Sequence, residues 1–267
     1  MRMRYLAVIV MTIVLVACAT SPTGRRQLII VSEDTAIAAS KQAYTQMLKP
    51  YADEGKIDTS PALKARVYKI TGYLIAQAIK MRPETRKWDW SIKIIDDPKT
   101  VNAWAMAGGK MALYTGLVEK VKPTDDELAQ VLGHEIGHAL AKHSAEKMSV
   151  AMASSIGVAA VGMMAKEKQL ALTGASLAAA LAVQMPNSRA AESEADEIGI
   201  ELAAKAGYDP RAAITLWQKM AKVGGKSPPE FLSTHPSPQN REAKLAELVP
   251  RMLPYYERKG ERPFYKL

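Results

Sequence analysis

The feature that most constrains the fold is the confinement of β-strand patterns to one stretch in the first half of the chain. Apolar residues alternate along residues 88–94, which predicts a half-buried strand. Residues 101–116 have the pattern of two short strands joined at Gly108 and Gly109. The apolar spacing is helical before and after this stretch. The sequence therefore predicts an α+β fold that is mostly helical, with a small sheet.

The helical segments carry recognisable start signals. Ser32 can cap a helix that runs to about Leu48, and Ser60 followed by Pro61 predicts a helix to about Lys80. Thr124 and Glu127 have the spacing of a capping box for a long helix to about Met148. Further helices are predicted over residues 188–206, from residue 209 onward and over residues 239–249. The scarcity of phenylalanine (2 residues against 14 methionines) favours helices with small, adaptable contacts over an aromatic β core.

Two apolar runs rich in alanine, glycine and methionine occupy residues 150–165 and 170–185, separated by "KEKQ". Each is too short and too rich in alanine for a convincing membrane-spanning helix. We favour a buried or surface helical hairpin, with a hairpin that dips into a membrane as the alternative.

The N-terminus has the pattern of an export signal. A basic "MRMR" precedes the apolar run "YLAVIVMTIVLVA", and "LVAC" ends at Cys18, the one cysteine of the chain. This resembles the lipobox of bacterial lipoproteins, and the alternative is an ordinary secretory signal with a free thiol. We predict a signal peptide over residues 1–17, lipidation of Cys18, a tether over residues 18–31 and one domain over residues 32–267. Ala19 follows the cysteine where aspartate would favour inner-membrane retention, so the expected location is the periplasmic face of an outer membrane.

The formal net charge of +9 does not indicate nucleic-acid binding, because no nucleic-acid motif accompanies it. Arg2 and Arg4 contribute two of these charges, which leaves +7 for residues 18–267. Solubility explains such a charge, and attraction to anionic lipid head groups is a further use.

The motif "HEIGH" lies within the helix that begins after Thr124. His134 and His138 are four residues apart and therefore about 40° apart around a helix, so both imidazoles leave one face. That arrangement suits two nitrogen ligands of one zinc ion. Glu135 lies about 100° away, where it can reach a water on the metal without being a ligand. The alternative is an accidental match by two ordinary histidines.

Catalytic zinc takes a third protein ligand, and no histidine follows at the short spacing of the metzincins. His143 is about 140° from His138, so we expect it at the surface or at a helix end. The remaining candidates are His235 and the carboxylates, densest in "ESEAD". Glu192 and Asp196 share a helix face that can offer Glu192 to zinc and Asp196 as the acceptor for a ligand histidine N–H. Glu194 is then expected to face solvent, and an ordinary solvated acidic face is the alternative for all three.

Taken together, these motifs resemble the gluzincin family that contains HtpX and the CAAX prenyl endopeptidases, and most of all its periplasmic lipoprotein members. The matching stretches are "HEIGHALAKHS", "ESEADEIG", "NAWAMAGGKMALYTGL", "GYDPRAA" and "HPSPQNR". The resemblance implies a zincin-like metallopeptidase fold with the HExxH motif on an active-site helix and one Zn²⁺ per chain. It also implies Glu192 as the third ligand, Asp196 as its supporting carboxylate and Glu135 as the catalytic base. Ala107 departs from the family, in which proline often precedes the glycine pair.

Two further sets of residues complete the predicted site. His235, in a proline-rich loop and hence expected outside the core, either stabilises the oxyanion or occupies the fourth zinc position. Arg241 is expected to anchor that loop or to assist in charge stabilisation. Asn102, Ala103, Trp104 and Ala105 are predicted to form a free strand edge that binds an extended substrate by β-augmentation.

The sequence therefore predicts a zinc endopeptidase, a hydrolase that clears unfolded or misfolded envelope proteins, with the outer-membrane protein assembly machinery as a possible partner. A chaperone or assembly factor for outer-membrane proteins that seldom cleaves is the rival interpretation. A zinc hydrolase of non-peptide substrates is a more distant one.

Overall fold

The computed structural model describes residues 18–159, 187–223, 229–236 and 240–267. The strands are β1 (Cys18–Thr20), β2 (Arg26–Leu28), β3 (Ser91–Ile95), β4 (Ala103–Met106) and β5 (Lys110–Tyr114). The helices are α1 (Glu33–Asp53), α2 (Pro61–Met81), α3 (Thr115–Val121), α4 (Asp125–Leu140), α5 (His143–Ala159), α6 (Arg189–Ala206), α7 (Ala212–Val223), α8 (Glu230–Thr234) and α9 (Arg241–Tyr256), with a short 3₁₀ helix at Pro83–Lys87. The predicted α+β class with a helical majority is confirmed.

The predicted helix starts are correct where the sequence has a capping side chain. The side chains of Ser32, Ser60 and Ser188 each accept a hydrogen bond from a backbone N–H of the first turn of α1, α2 and α6. Thr124 and Glu127 form both hydrogen bonds of the capping box at the start of α4. These bonds satisfy N–H groups that have no partner within the helix, which is why the sequence signals are reliable.

The central sheet has the strand order β3-β5-β4, with β3 parallel and β4 antiparallel to β5. Gly108 and Gly109 make the predicted tight turn between β4 and β5 with φ values of +77° and +73°. A side chain at Gly109 would overlap the ring of Trp90, so the turn also needs glycine for space. Since β5 is central, β4 is an edge strand of this sheet, and it packs beside α4.

Helices α4 and α6 make the most extensive contact between helices of the described residues. Glycines allow this approach: a Cβ at Gly133 would lie 2.8 Å from the carbonyl oxygen of Gly199, and one at Gly137 would lie 2.8 Å from that of Ala195. A Cβ at Gly199 would in turn lie 2.7 Å from the backbone nitrogen of His134. The backbones of the two helices that carry the predicted zinc motifs are therefore in direct contact.

The helix predicted to run from Thr124 to Met148 is two helices. α4 ends at Leu140, Lys142 adopts a left-handed conformation with φ of +59°, and α5 begins at His143. Distant side chains satisfy the carbonyl groups exposed by this break. Arg82 donates to the carbonyl of Leu140 over 2.5 Å, and Gln27 donates to that of Ala141 over 2.7 Å. The prediction of one helix was wrong because these partners lie far away in the sequence.

The segment predicted as a tether is folded onto the domain. Strands β1 and β2 pair in an antiparallel hairpin, and the side chain of Gln27 in β2 is buried against the start of α5. The first 17 residues and the apolar runs beyond Ala159 lie outside the described residues, so the signal peptide and the apolar hairpin stay predictions, as does lipidation of Cys18. Among the helices of the described ranges, none is long and apolar enough to cross a membrane.

Candidate metal centre

Three histidines and one glutamate converge in the interior of the protein. His134 and His138 come from α4, Glu192 from the first turn of α6, and His235 from the residue that follows α8. Each offers one ligand atom, and these atoms all lie within 4.8 Å of one another. All four side chains are buried. Three of the four are the predicted zinc ligands.

The ligand atoms are spaced as a single small cation requires. The Nε2 atoms of His134 and His138 are 3.0 Å apart, and they lie 3.3 Å and 3.2 Å from the carboxylate oxygens of Glu192. Nδ1 of His235 is 3.1 Å from Glu192. Ligands about 2.0–2.1 Å from a tetrahedral zinc ion are separated by about 3.3 Å, so the spacing fits the metal.

The Nδ1 atoms of the two HExxH histidines face away from the cluster. Nδ1 of His134 lies 2.9 Å from Asp196 and donates to that carboxylate, while Nδ1 of His138 lies 2.7 Å from Nδ1 of His143. A neutral imidazole has one ring proton, so with that proton on Nδ1 each Nε2 presents a lone pair to the cluster. Two facing lone pairs, together with a buried Oε2 of Glu192 that accepts no hydrogen bond, form a set of donor atoms that a cation satisfies. The donor set of two histidines and one glutamate is one of the usual sets for catalytic zinc.

The buried carboxylates and imidazoles of the cluster shift one another's pKa values. Burial lowers the pKa of His138 well below its usual range. Burial also lowers the pKa of His134, but the charges of Glu192 and Asp196 outweigh it and raise that pKa to about 9. Burial raises the pKa of Glu192, and the charges of His134, His138 and His235 outweigh that effect and lower it well below its usual range. Protons and a metal ion therefore compete for this cluster, which makes metal affinity dependent on pH.

Glu135 lies beside the cluster with one oxygen unused. Its Oε1 is buried without a hydrogen-bond partner and is 3.5 Å from Nε2 of His235. Burial raises the pKa of this carboxyl group above its usual value. A cavity of about 20 Å³ is lined by Glu135, His138 and His235 together with Ala105, among others, and it has room for roughly one water molecule.

His235 is buried, contrary to the expectation that its loop lies outside the core. Its ring stacks on Phe231 with 4.4 Å between the ring centroids. Its Nδ1 lies 3.3 Å from Nε2 of His134 and 3.3 Å from the side-chain amide of Asn187. The short helix α8 ends at Thr234, and this brings the imidazole of His235 into the cluster as its third nitrogen and fourth side chain.

Arg241 is buried and contacts both carboxylates of α6 that face the cluster. It donates to Asp196 over 2.5 Å, its Nη1 lies 3.4 Å from Glu192, and its guanidinium lies 3.3 Å from the ring centre of Trp217. Asp196 is thus held between Arg241 and His134, which fixes the orientation of the imidazole.

The predicted substrate strand divides into two parts. Trp104 and Ala105 line the cavity that contains Glu135. The amide of Asn102 donates to Glu230 over 3.1 Å, and Ala103 is fully buried, so these two residues belong to the packing around the strand.

The largest differences from the sequence predictions concern His143 and Glu194, both of which are buried. His143, predicted at the surface, contacts His138 through Nδ1 and lies 3.1 Å from Glu194 through Nε2. Glu194, predicted to face solvent, accepts hydrogen bonds from Arg25 over 2.6 Å and from Thr23 over 2.7 Å. The predictions were wrong because they considered only the faces of α4 and α6, whereas the break after Leu140 and the N-terminal hairpin cover these positions.

The charge of Glu194 is strongly stabilised. Burial raises its pKa, but hydrogen bonds from His143, Ser21, Arg25 and Thr23 outweigh this and lower the pKa to about 2. Burial lowers the pKa of His143, which favours its neutral form. Neither residue has a sequence signal beyond the proximity of His143 to the HExxH motif and of Glu194 to Glu192, and no signal identifies Arg25.

The fold and the donor set define a zinc metallopeptidase: a helix with HExxH, a second helix that provides the glutamate, and an edge strand beside them. Comparison with known sequences names the family. Residues 61–249 match peptidase family M48, and the chain belongs to that family.

Curated relatives include the mitochondrial metalloendopeptidase OMA1 of Homo sapiens, which is 33% identical over 243 residues, or 86% of this chain and 45% of the relative. The OMA1 of Arabidopsis thaliana is 38% identical over 158 residues, or 59% of this chain and 31% of the relative. The beta-barrel assembly-enhancing protease of Escherichia coli is 29% identical over 170 residues, or 60% of this chain and 35% of the relative. The chain therefore spans less than half the length of these three relatives.

Proposed function

We propose that the protein is a zinc-dependent endopeptidase of a bacterial cell envelope that cleaves unfolded or misfolded polypeptides. The observation that carries the proposal is the convergence of His134, His138 and Glu192 beside a buried Glu135 with a free oxygen. Membership of peptidase family M48 supports the reaction class.

The chain's own side chains account for the proton transfers. When bound at His134, His138 and Glu192, zinc supplies a Lewis acid that lowers the pKa of water and polarises the scissile carbonyl. Oε1 of Glu135 takes the proton from the attacking water and then passes it to the leaving amine nitrogen. The raised pKa of Glu135 suits both steps, because a carboxyl group with a pKa closer to neutrality accepts and returns a proton more readily. His235, adjacent to Glu135, is the residue best situated to donate to the oxyanion.

Strand β4 supports the assignment of an extended polypeptide as substrate. It is an edge of the sheet, and Trp104 and Ala105 line the cavity beside Glu135. An extended segment that pairs with this edge would be read mainly through its backbone. Such pairing selects unfolded chains over a particular side chain.

The cellular setting is an expectation from the sequence. The pattern that resembles a lipobox and ends at Cys18, with the basic n-region before it, supports export and attachment to the periplasmic face of an outer membrane. A periplasmic lipoprotein branch near HtpX and the CAAX prenyl endopeptidases is the position within the family that the motifs favour. The relative named for enhancement of beta-barrel assembly supports outer-membrane proteins, or their assembly machinery, as substrates or partners.

The second candidate function is a chaperone or assembly factor that cleaves little. One observation favours it: Nδ1 of His235 lies among the ligand atoms, 3.1 Å from Glu192, where it can occupy the fourth position of a metal ion. A protein whose fourth position is taken by a histidine would bind chains at β4 without hydrolysing them.

The isosteric variant Glu135→Gln separates the two functions. Zinc-loaded wild-type protein is expected to cleave casein, and the variant is expected to retain zinc while losing cleavage by about 10²-fold or more. Cleavage by the zinc-loaded variant at the wild-type rate would refute the proposed role of Glu135. Full activity of the variant in a cell-based assay of outer-membrane assembly would favour the chaperone.

A further inference from the structure

A series of side-chain contacts connects the metal cluster to the N-terminal hairpin. It runs from His138 to His143 over 2.7 Å, from His143 to Glu194 over 3.1 Å, and from Glu194 to Arg25 over 2.6 Å. Thr23 adds a second hydrogen bond to Glu194 over 2.7 Å. Residues 18–28, which form this hairpin, precede the part of the chain that matches the family, residues 61–249.

Only one assignment of ring protons satisfies every contact when His138 gives its Nε2 lone pair to a metal. The proton of His138 is then on Nδ1 and is donated to Nδ1 of His143, which must be unprotonated to accept it. The proton of His143 is therefore on Nε2, from which it is donated to the carboxylate of Glu194. The imidazole of His143 and the carboxylate of Glu194 thus fix one tautomer and one orientation of His138.

A carboxylate also orients the other ligand histidine, His134, but without an imidazole between them. His134 donates directly to Asp196, which Arg241 holds. Each histidine of the HExxH motif therefore has a carboxylate of α6 behind it, and each carboxylate is paired with an arginine. Partners of this kind orient metal ligands and raise their basicity.

From this geometry we infer that Arg25, Glu194 and His143 are positioning residues of the zinc site and that the N-terminal hairpin is a structural part of it. Arg25 is fixed by a second pair of hydrogen bonds, to both oxygens of Glu146 on α5, over 2.8 Å and 2.5 Å. It therefore joins the start of α5 to α6 behind His143. Without the hairpin, the carboxylate of Glu194 would lose its cation, and His143 would lose its fixed acceptor.

The inference rests on the proposed function only in requiring that the cluster binds zinc, and zinc affinity is therefore the primary measurement. The variants are His143→Phe, which keeps the ring volume but neither nitrogen, the isosteric Glu194→Gln, and Arg25→Met. The matched control is Arg26→Met, because Arg26 is the adjacent residue of the hairpin and is exposed. The dissociation constant of Zn²⁺ is measured by competition with a chelator, alongside the melting temperature of the metal-free protein and the visible spectrum of the Co²⁺-substituted protein.

The zinc dissociation constant is expected to rise by about 10- to 100-fold for His143→Phe and Glu194→Gln. For Arg25→Met, which acts from one contact further away, a rise of about threefold to tenfold is expected. Arg25→Lys should lose less zinc affinity than Arg25→Met, since it keeps a positive charge near Glu194 but not the bidentate contact with Glu146. The double variant of Arg25 and Glu194 should lose less affinity than the sum of its single variants, because both act on His143. The Co²⁺ spectrum should shift in the three variants and not in Arg26→Met.

Unchanged zinc affinity and an unchanged Co²⁺ spectrum in Glu194→Gln and His143→Phe would overturn the inference, even if their metal-free proteins melt at lower temperature. That result would mean that the contacts only stabilise the fold. If His143→Phe does not fold, Glu194→Gln decides the question alone, since it changes a single atom. A wild-type protein that binds no zinc would instead refute the proposed function itself.

Discussion

Replacing Gly199 by alanine tests whether the glycine contact between α4 and α6 sets the geometry of the metal site. A Cβ at this position would lie 2.7 Å from the backbone nitrogen of His134 and 2.9 Å from the backbone carbon of Gly133. Both neighbours are backbone atoms of a helix, so neither can turn aside as a flexible side chain would. The two helices must move apart to accept the methyl group.

The size of the effect follows from these distances. Carbon atoms in comfortable contact are about 3.5–4.0 Å from their neighbours, so the helices must separate locally by about 0.8 Å or more. Overpacking of this kind costs about 1–3 kcal/mol, and the better helix propensity of alanine offsets about 1 kcal/mol. We therefore expect a loss of up to about 2 kcal/mol in the free energy of unfolding. Zinc tolerates ligand displacements of only about 0.2 Å, so we expect the zinc dissociation constant to rise by about tenfold or more.

Urea unfolding of the metal-free protein measures the first quantity, and chelator competition measures the second. Ser193→Ala is the matched control, because it also introduces alanine in α6, at a partly exposed position. This control should match the wild type in zinc affinity. A Gly199→Ala protein with the stability and zinc affinity of the control would refute the reasoning, since it would mean that the contact accepts a methyl group without strain and without displacing the ligands.

Three further outcomes are expected. Removing zinc with a chelator should lower the melting temperature. Zinc at about 100 times its dissociation constant should raise the free energy of unfolding by about 2.7 kcal/mol. A melting temperature that does not change with zinc would contradict the site. Because the pKa of Glu194 falls from an ordinary value of 4.5 to about 2 on folding, its charge stabilises the protein fully above pH 4.5 and progressively less toward pH 2. Urea titrations of Glu194→Gln should therefore show a free energy of unfolding lower by up to about 3 kcal/mol at pH 7 and by less at acidic pH. A loss independent of pH would show that the charge of Glu194 is not its cause. Gly109→Ala should lower the free energy of unfolding by about 1–3 kcal/mol in the same assay, because residue 109 has a φ of +73° and lies against the ring of Trp90. An unchanged free energy of unfolding would show that the turn can relax.

The sequence by itself determined the features that depend on neighbours along the chain. Helix starts follow from capping side chains that bond within one turn, so Ser60 and Thr124 located α2 and α4 correctly. The pairing of His134 with His138 follows from the pitch of a helix. The turn between β4 and β5 follows from the glycine pair, whose positive φ values other residues seldom adopt.

Tertiary structure decided which faces of those elements are covered, and by what. Nothing local ends α4 at Leu140, where side chains of Arg82 and Gln27 satisfy the exposed carbonyl groups. Helical periodicity predicts that Glu194 points away from Glu192, but it does not predict that Arg25 lies 169 positions earlier in the sequence and on that face.

"ESEAD" shows the division most clearly. Its spacing placed Glu192 and Asp196 on one face toward the HExxH histidines. The packing of an N-terminal hairpin against the opposite side turned Glu194 from an expected surface acid into a buried carboxylate behind His143. Periodicity along a helix is a local property, whereas burial depends on which distant segment packs against each face, and that is settled only when the whole chain folds.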